Sequence, residues 1–261
     1  NPGWTIDVAT PGETGVYTIS TGGQYLAQSS TAGLYTGYTL ELISEVTEAA
    51  KWKILTRDEA IADLQTANAN NPKTATFLFK NPGFNRNISN AGWTMVASNQ
   101  NLSGGTNDNR CAESWQSTFT LSQTATVPNG YYVVKAQAAL TDYTNAYDGA
   151  DYPVVYANDE TVAFNNMDTS DRGTNMSTLS NSFQNGKYGV EVPVVVAGGE
   201  LTIGVRGTRT NTWCIWDEFD VTYYGPIQDL SIYEAQLAAI VETAQAYKGT
   251  IPAQAYSTLE S

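Results

Sequence analysis

The chain has 261 residues, with 13 Lys and Arg against 26 Asp and Glu, a formal net charge of −13 and a pI near 4.3. That balance excludes nucleic acid and anionic membranes as partners, since both are held by basic patches. No run approaches the ~18 apolar residues of a membrane span, and the absence of histidine removes histidine-zinc sites, Ser-His-Asp triads and Cys-His dyads together.

Only 15% of residues are charged, and Asn, Thr, Ser, Gly and Tyr are abundant. This neutral, hydrogen-bonding composition is that of secreted β proteins, so an extracellular, cell-surface or periplasmic setting is expected. "NPGWTIDVAT" at the start has neither a basic n-region nor an apolar h-region, so a signal peptide is expected to be absent or already removed.

Residues 1–55 read as short strands: "GVYTIS" and "QYLAQ" alternate apolar with polar around the turn Gly22-Gly23. "WTI" at Trp4 returns as "WKI" at Trp52, and this Trp-x-Ile pattern resembles one lobe of a ricin-type β-trefoil. One lobe cannot bury its own core, which leaves a trefoil fragment or a small β appendage packed on the next domain. "TRDEAIADLQTA" predicts a helix: Thr56 and Glu59 form a capping box, Ile61 and Leu64 a narrow stripe, and "NANNP" ends it. It makes residues 56–79 a helical connector.

Residues 80–225 are patterned as strands throughout. "STFTLSQTATV" puts Phe119 and Leu121 on one face, Pro128-Asn129-Gly130 turns the chain, and "YYVVKAQAAL" continues as a strand. "PVVYANDETVAF" reads as a hairpin around Asn158-Asp159. "YGVEVPVVVA" and "ELTIGVRG" form another, with Leu201, Ile203 and Val205 inward; "TWCIWDEFDVTYYG" is the last strand. Seven or more short strands separated by turns indicate a β-sandwich or barrel. Trp93 and Trp115 lie inside strand-like runs and are expected in its core. Cys111 and Cys214 fit no metal spacing; they predict a disulfide between two strands, the alternative being two buried small hydrophobes.

From Pro226 to residue 261 the period becomes helical. "SIYEAQLAAIVETAQAYKG" opens on the capping box Ser231–Glu234 and closes on Gly249. Its apolar face is Tyr233, Leu237, Ile240, Val241 and Ala244. It predicts the start of a helical module, or a helix packing back on the sandwich.

"NPGFNRNISNAGW", "PNGYYVVKAQA" and "WCIWDEFDVTYYG", in that order, resemble galactose-binding-like carbohydrate-binding modules of secreted multidomain Bacteroidetes proteins. Such modules often open on Asn-Pro/Gly-x-Phe-(Glu)-x-Gly-Trp and close on a strand with an inward Asp. The resemblance covers 80–225 and implies a jelly-roll β-sandwich there; with the small N-terminal β segment, the connecting helix and the C-terminal helix read from the patterning, the chain is expected to be mostly β. The resemblance also implies glycan as partner, other domains in a longer parent, and a structural calcium ion held by Asp217 and oxygen groups of the first strand. Asn85 stands where the family has Glu, a neutral oxygen in place of a charge. Strand alternation places Ile215, Asp217, Phe219, Val221 and Tyr223 on one face, where a bare carboxylate needs a partner: calcium with about six to eight oxygens, an Arg, or backbone N–H groups.

Catalysis finds little support in the residues. Asp217 and Glu218 are adjacent and face opposite sides of a strand, whereas a retaining glycosidase holds its two carboxyls about 5–5.5 Å apart. Glu218 and Asp220 share a face, read as a surface row with Trp216 and Tyr224. Sugars need aromatic platforms and placed polar groups; the loops at 98–110, 141–152 and 207–213 supply both. The candidate ligand-binding residues are Tyr143, Tyr147, Trp213 and Arg209, with Asn107 and Asp108 as polar contacts. A non-catalytic carbohydrate-binding module is therefore expected. The rivals are a scaffold or interaction module without a sugar site and a β-sandwich glycoside hydrolase or lyase.

Overall fold

The computed structural model describes residues 3–11, 14–29, 40–84, 92–105, 110–144, 151–227 and 240–242. It separates into two units, Asn1–Pro226 and Ile227–Ser261. In the second unit residues 240–242 are helical, and the remainder of the predicted C-terminal helix lies outside the described residues.

The N-terminal strands β1 (Thr5–Val8), β2 (Val16–Thr21), β3 (Gln24–Gln28) and β4 (Leu40–Ile43) make an antiparallel sheet in chain order, with β5 (Trp52–Lys53) also on β2. Gly22 and Gly23, both at positive φ, make the tight β2–β3 turn that a Cβ would oppose. Trp52 Nε1 donates to the Leu26 carbonyl at 2.8 Å and ties β5 to β3. The stretch that resembles a trefoil lobe is thus a small sheet of its own.

Helix α1 (Arg57–Leu64) begins on the predicted capping box: Glu59 N donates to Thr56 Oγ1 and Thr56 N donates to Glu59 Oε2. Leu64 is buried in the core of the sandwich. Strand β6 (Lys73–Thr74) joins that sandwich directly.

The chain is mostly β, and its main body is the predicted jelly-roll β-sandwich. Its strands are β7 (Thr94–Ala97), β8 (Gln100–Gly105), β9 (Arg110–Trp115), β10 (Phe119–Thr126), β11 (Gly130–Asp142), β12 (Val154–Ala157), β13 (Glu160–Ala163), β14 (Asn165–Asn166), β15 (Gly189–Val196), β16 (Glu200–Gly207) and β17 (Thr212–Tyr223). One sheet runs β13-β12-β16-β10-β7. The other runs β14-β11-β17-β9-β8, with β15 also on β11 and β6 on β17. Alternation is plain in the first sheet: Leu121, Leu201, Ile203 and Val205 turn inward and are fully buried, while Thr120, Ser122, Thr202 and Arg206 alternate with them toward the outside. Pro193 is tolerated in β15 because it sits on an outward position of a strand that pairs only with β11 among the described residues.

The segment entering the sandwich is built around rings. Phe84 stacks on Trp93 at 5.4 Å, and both meet Phe219 of β17. Asn81, at φ 47°, makes the entry turn; its carbonyl accepts from Trp93 Nε1 at 3.1 Å.

Strand β17 departs from simple alternation. Opposite β11, Gln137 pairs with Asp217 but Lys135 pairs with Asp220, so β17 holds one extra residue, and Glu218 there has φ 51°. This β-bulge inverts the faces. Before it, Cys214 and Trp216 point into the sandwich; after it, Phe219, Val221 and Tyr223 do. Asp217 therefore shares its face with Ile215 and not with Phe219, and Trp216 is core, not surface.

On the outer face of this second sheet lies a smaller core. Helix α2 (Met176–Gln184), capped by Asn175, packs Leu179 and Phe183 onto Cys111, Ala139, Trp213 and Ile215. Its presence corrects the cysteine prediction. Cys214 opposes Ser114, and Cys111 lies three residues from Ser114, so the two point to opposite faces of one sheet. Cys214 belongs to the inner core and Cys111 to the outer one; both are free thiols.

Burial pushes both thiols up, Cys214 to about 12. Alkylation without reductant should add no mass to the folded protein and two adducts in denaturant; a mass showing no reactive thiol after unfolding would contradict the free pair. Phe84→Ala should cost about 3–5 kcal/mol in denaturant unfolding, since it empties a fully buried ring site.

Candidate binding cleft

The end of the outer face of the second sheet carries an open cleft of about 400 Å³, lined by Asn99, Glu113, Trp115, Tyr143, Gly173, Thr174, Asn175, Met176 and Trp213. Register explains the gathering. Trp115 of β9 opposes Trp213 of β17, and Thr141 of β11 opposes Trp213 on its other side. In-register partners share a face about 5 Å apart, and Tyr143, two residues beyond Thr141, continues the row. Its N–H donates to the Asn211 carbonyl at 2.9 Å.

The opposite wall comes from the turn before α2. Asp171 is buried there, accepting from Lys187 Nζ at 2.8 Å and from the Tyr188 hydroxyl at 2.7 Å. These contacts anchor the turn that presents Gly173, Thr174 and Asn175. Asn175 is itself fixed, since its Oδ1 accepts from Thr178 N at 3.1 Å.

Among the described residues, Glu113 is the one carboxylate of the lining. Trp213 Nε1 donates to its Oε2 at 2.7 Å. Partial burial raises its carboxyl above the ordinary value, and the Trp213 hydrogen bond opposes that shift. The cleft therefore offers exposed rings, a held carboxyl and amide or hydroxyl groups. That set can pack the C–H face of a ring-shaped polar molecule and bond its hydroxyls.

Two of the predicted ligand residues, Tyr143 and Trp213, come together here. Trp213 is only 6% exposed and floors the cleft, whereas Tyr143 stands open at its rim. Arg209 does not line it: Nη2 lies 2.8 Å from Oδ2 of the fully buried Asp142, and the guanidinium rests over the Tyr152 ring. Tyr147, Asn107 and Asp108 lie outside the described residues. Trp115, expected in the core, is 48% exposed and is the cleft's most open ring. The reason is that β9 ends there: Gln116 takes φ 48° and its N–H donates to the Thr212 carbonyl at 2.8 Å. The alternation that pairs Trp115 with Glu113 on one face is the available sequence signal. The α2 turn escapes sequence reasoning because "NMSTLSNSFQ" is short and rich in Ser and Asn, although Met176, Leu179 and Phe183 have helical spacing.

Asp217 is fully buried. Its Oδ1 accepts from Glu218 N at 2.8 Å, while Oδ2 has no partner; Nε2 of Gln137, opposite it in register, also has none. Burial pushes this carboxyl well above the carboxylate range, the Glu218 charge adds to the rise, and the Glu218 N–H opposes it. Among the described residues no three His, Cys, Asp or Glu side chains gather as a metal would require, and Asn85 lies outside them. Oδ2 of Asp217 is an oxygen without a partner, and the first-strand residues 85–91, expected to supply the other oxygens of a calcium site, lie outside the described residues. Glu218 and Asp220 do not reach the cleft lining, and Asp220 accepts a hydrogen bond from Thr76 Oγ1.

No family model matches the sequence, and no curated protein matches it. Among solved structures it is similar to the carbohydrate-binding module TmCBM61 in complex with β-1,4-galactotriose, at 16% identity and TM-score 0.34, covering 56% of this chain and 97% of that one. It is also similar to the Stig cyclase Fisc from Fischerella sp. TAU in complex with a pyrrolidinylidene-indole, at 13% identity and TM-score 0.36, covering 60% and 100%. A third is the secreted serine protease VesC from Vibrio cholerae, at 13% identity and TM-score 0.26, covering 81% and 36%. Overlaps of this extent leave the cleft itself as the source of any functional reading.

Because the folded Asp217 carboxyl holds its proton above the unfolded value of 3.8, the folded state binds more protons in that window. Stability should therefore fall as pH rises from about 4 toward the folded pKa. Asp217→Asn should flatten that part of the Tm-versus-pH curve; an unchanged slope would trace the dependence to other groups.

Proposed function

We propose that this chain is a non-catalytic carbohydrate-binding module of a secreted or cell-surface multidomain protein, holding a glycan in the cleft on the outer face of its second sheet. The supporting observation is the convergence of Trp115, Trp213 and Tyr143 from three adjacent strands beside Glu113. Sugar rings present C–H faces that pack on aromatic platforms, and their hydroxyls are bonded at the periphery, here by Asn99, Glu113, Thr174 and Asn175. Trp213 and Glu113 hold each other at 2.7 Å, so this part of the cleft is set before a ligand arrives. A single carboxylate in the described lining supports binding over hydrolysis, because glycosidases use a pair. The module would keep an attached domain near its glycan.

The test is a glycan array over plant, host and microbial sugars, followed by titration of any hit through tryptophan fluorescence. Trp115→Ala removes an exposed ring, so it should weaken binding about tenfold or more, ~1.4 kcal/mol or above, with Tm unchanged. Trp213→Ala is the poorer variant, since it also empties a core position. No bound glycan, or affinity indifferent to Trp115→Ala, would refute this reading, and release of reducing sugar would refute its non-catalytic part.

A further inference from the structure

The candidate cleft holds a carboxyl without a counter-ion. Among the described residues of its lining, Glu113 is acidic and no Lys or Arg stands beside it. Its Oε2 accepts from Trp213 Nε1, a neutral donor that fixes the carboxylate in place without cancelling its charge. Its Oε1 accepts no hydrogen bond among the described residues. The cations of the neighbouring elements are engaged elsewhere. Lys187 lies 2.8 Å from Asp168 and from Asp171, Arg209 lies 2.8 Å from Asp142, and Arg172 donates through Nε to the Met167 carbonyl. The rings around the carboxyl are Trp115 and Trp213, opposed in register, and Tyr143.

We propose that the cleft takes a glycan bearing an amino sugar whose nitrogen is free, with the ammonium set against Oε1 of Glu113 and the sugar ring on the aromatic wall. This inference rests on the glycan-binding reading above and gives that site its ligand class. A ligand that fills the cleft strips water from a carboxylate that is already half-buried, and burying an unpaired charge is costly. Burial is what lifts the Glu113 carboxyl above its ordinary value, and a cation beside it offsets that cost. A neutral sugar answers with hydroxyls alone. An ammonium brings three donors and the opposite charge, and such charge-assisted bonds are roughly twice as strong. The rings act in the same direction, since the face of Trp attracts a cation. A uronate or sulfated unit meets the reverse: like charge at Glu113, no cationic side chain in the described lining, and a chain at −13 around it.

Isothermal titration of the 261-residue chain in near-neutral buffer tests this. The probes are short oligomers of glucosamine and galactosamine, their N-acetylated and hydroxyl counterparts, and the matching glucuronate and galacturonate oligomers. An amino oligomer should bind about tenfold or more tighter than its uncharged counterparts, the worth of one charged hydrogen bond. The uronates should not bind, and rising salt should weaken the amino oligomer alone. Glu113→Gln keeps an acceptor for Trp213 Nε1, so it should erase the amino preference while Tm and the affinity for uncharged sugars stay as they are. Glu160→Gln removes the same charge from exposed β13, outside the cleft, and should leave the preference intact. A preference that survives Glu113→Gln, or that Glu160→Gln reduces equally, is general attraction to an acidic surface and overturns the proposal. An uncharged or acidic glycan that binds through Trp115 as tightly as any amino sugar also overturns it, and leaves the module reading standing. A chain that binds no glycan of any charge refutes that reading itself.

Discussion

The extra residue in β17 is the constraint on which the rest of the sandwich depends. With unbroken alternation, Trp213 and Ile215 would share one face with Phe219, Val221 and Tyr223. At Glu218 the strand slips by one, so Trp213 and Ile215 serve the outer layer while Phe219, Val221 and Tyr223 serve the inner. The same strand pairs with β11, β9 and β6, which makes it the shared wall of two cores. The backbone strain at Glu218, a non-glycine residue at positive φ, is held by dense packing on both sides.

The second core is what makes a cleft possible at all. Sheets that face water on one side usually leave that side flat; here α2 and the turn before it stand on the outer face and give it depth. Asp171, Lys187 and Tyr188 fix the turn, and the sheet fixes the rings. Binding side chains mounted on strands lose little freedom when a ligand arrives, so this geometry favours recognition over rearrangement.

Much of the fold is legible in the sequence because it rests on local chemistry. The capping box at Thr56, the Gly22-Gly23 and Asn158-Asp159 turns, and the inward Leu201, Ile203 and Val205 all arise from patterns a few residues long. The site is only half legible. Tyr143 and Trp213 are recognisable as loop-end aromatics, but Trp115 is masked by a strand pattern that does not announce where the strand stops. Arg209 has the right chemistry for a ligand, yet buried Asp142 engages it, an interaction 67 positions away in the chain. The bulge has no local signature, since its cause is register against β11, and so simple alternation puts Asp217 and Phe219 on one face when they lie on two. The cysteines mislead for the same reason: whether two strands bring thiols together depends on parity across a pairing that single-chain spacing does not contain.

The two thiols, set on opposite sides of one sheet, have a consequence for how the chain matures. A sandwich that depends on a cross-strand disulfide cannot settle until an oxidant has acted, and it loosens when reductant returns. This one draws its cohesion from rings and aliphatic side chains, with each sulfur enclosed in a separate apolar layer. Its folding needs no electron acceptor, its finished state is indifferent to the surrounding thiol–disulfide balance, and a Cys111–Cys214 bond formed before folding would have to be reduced before the two layers could close.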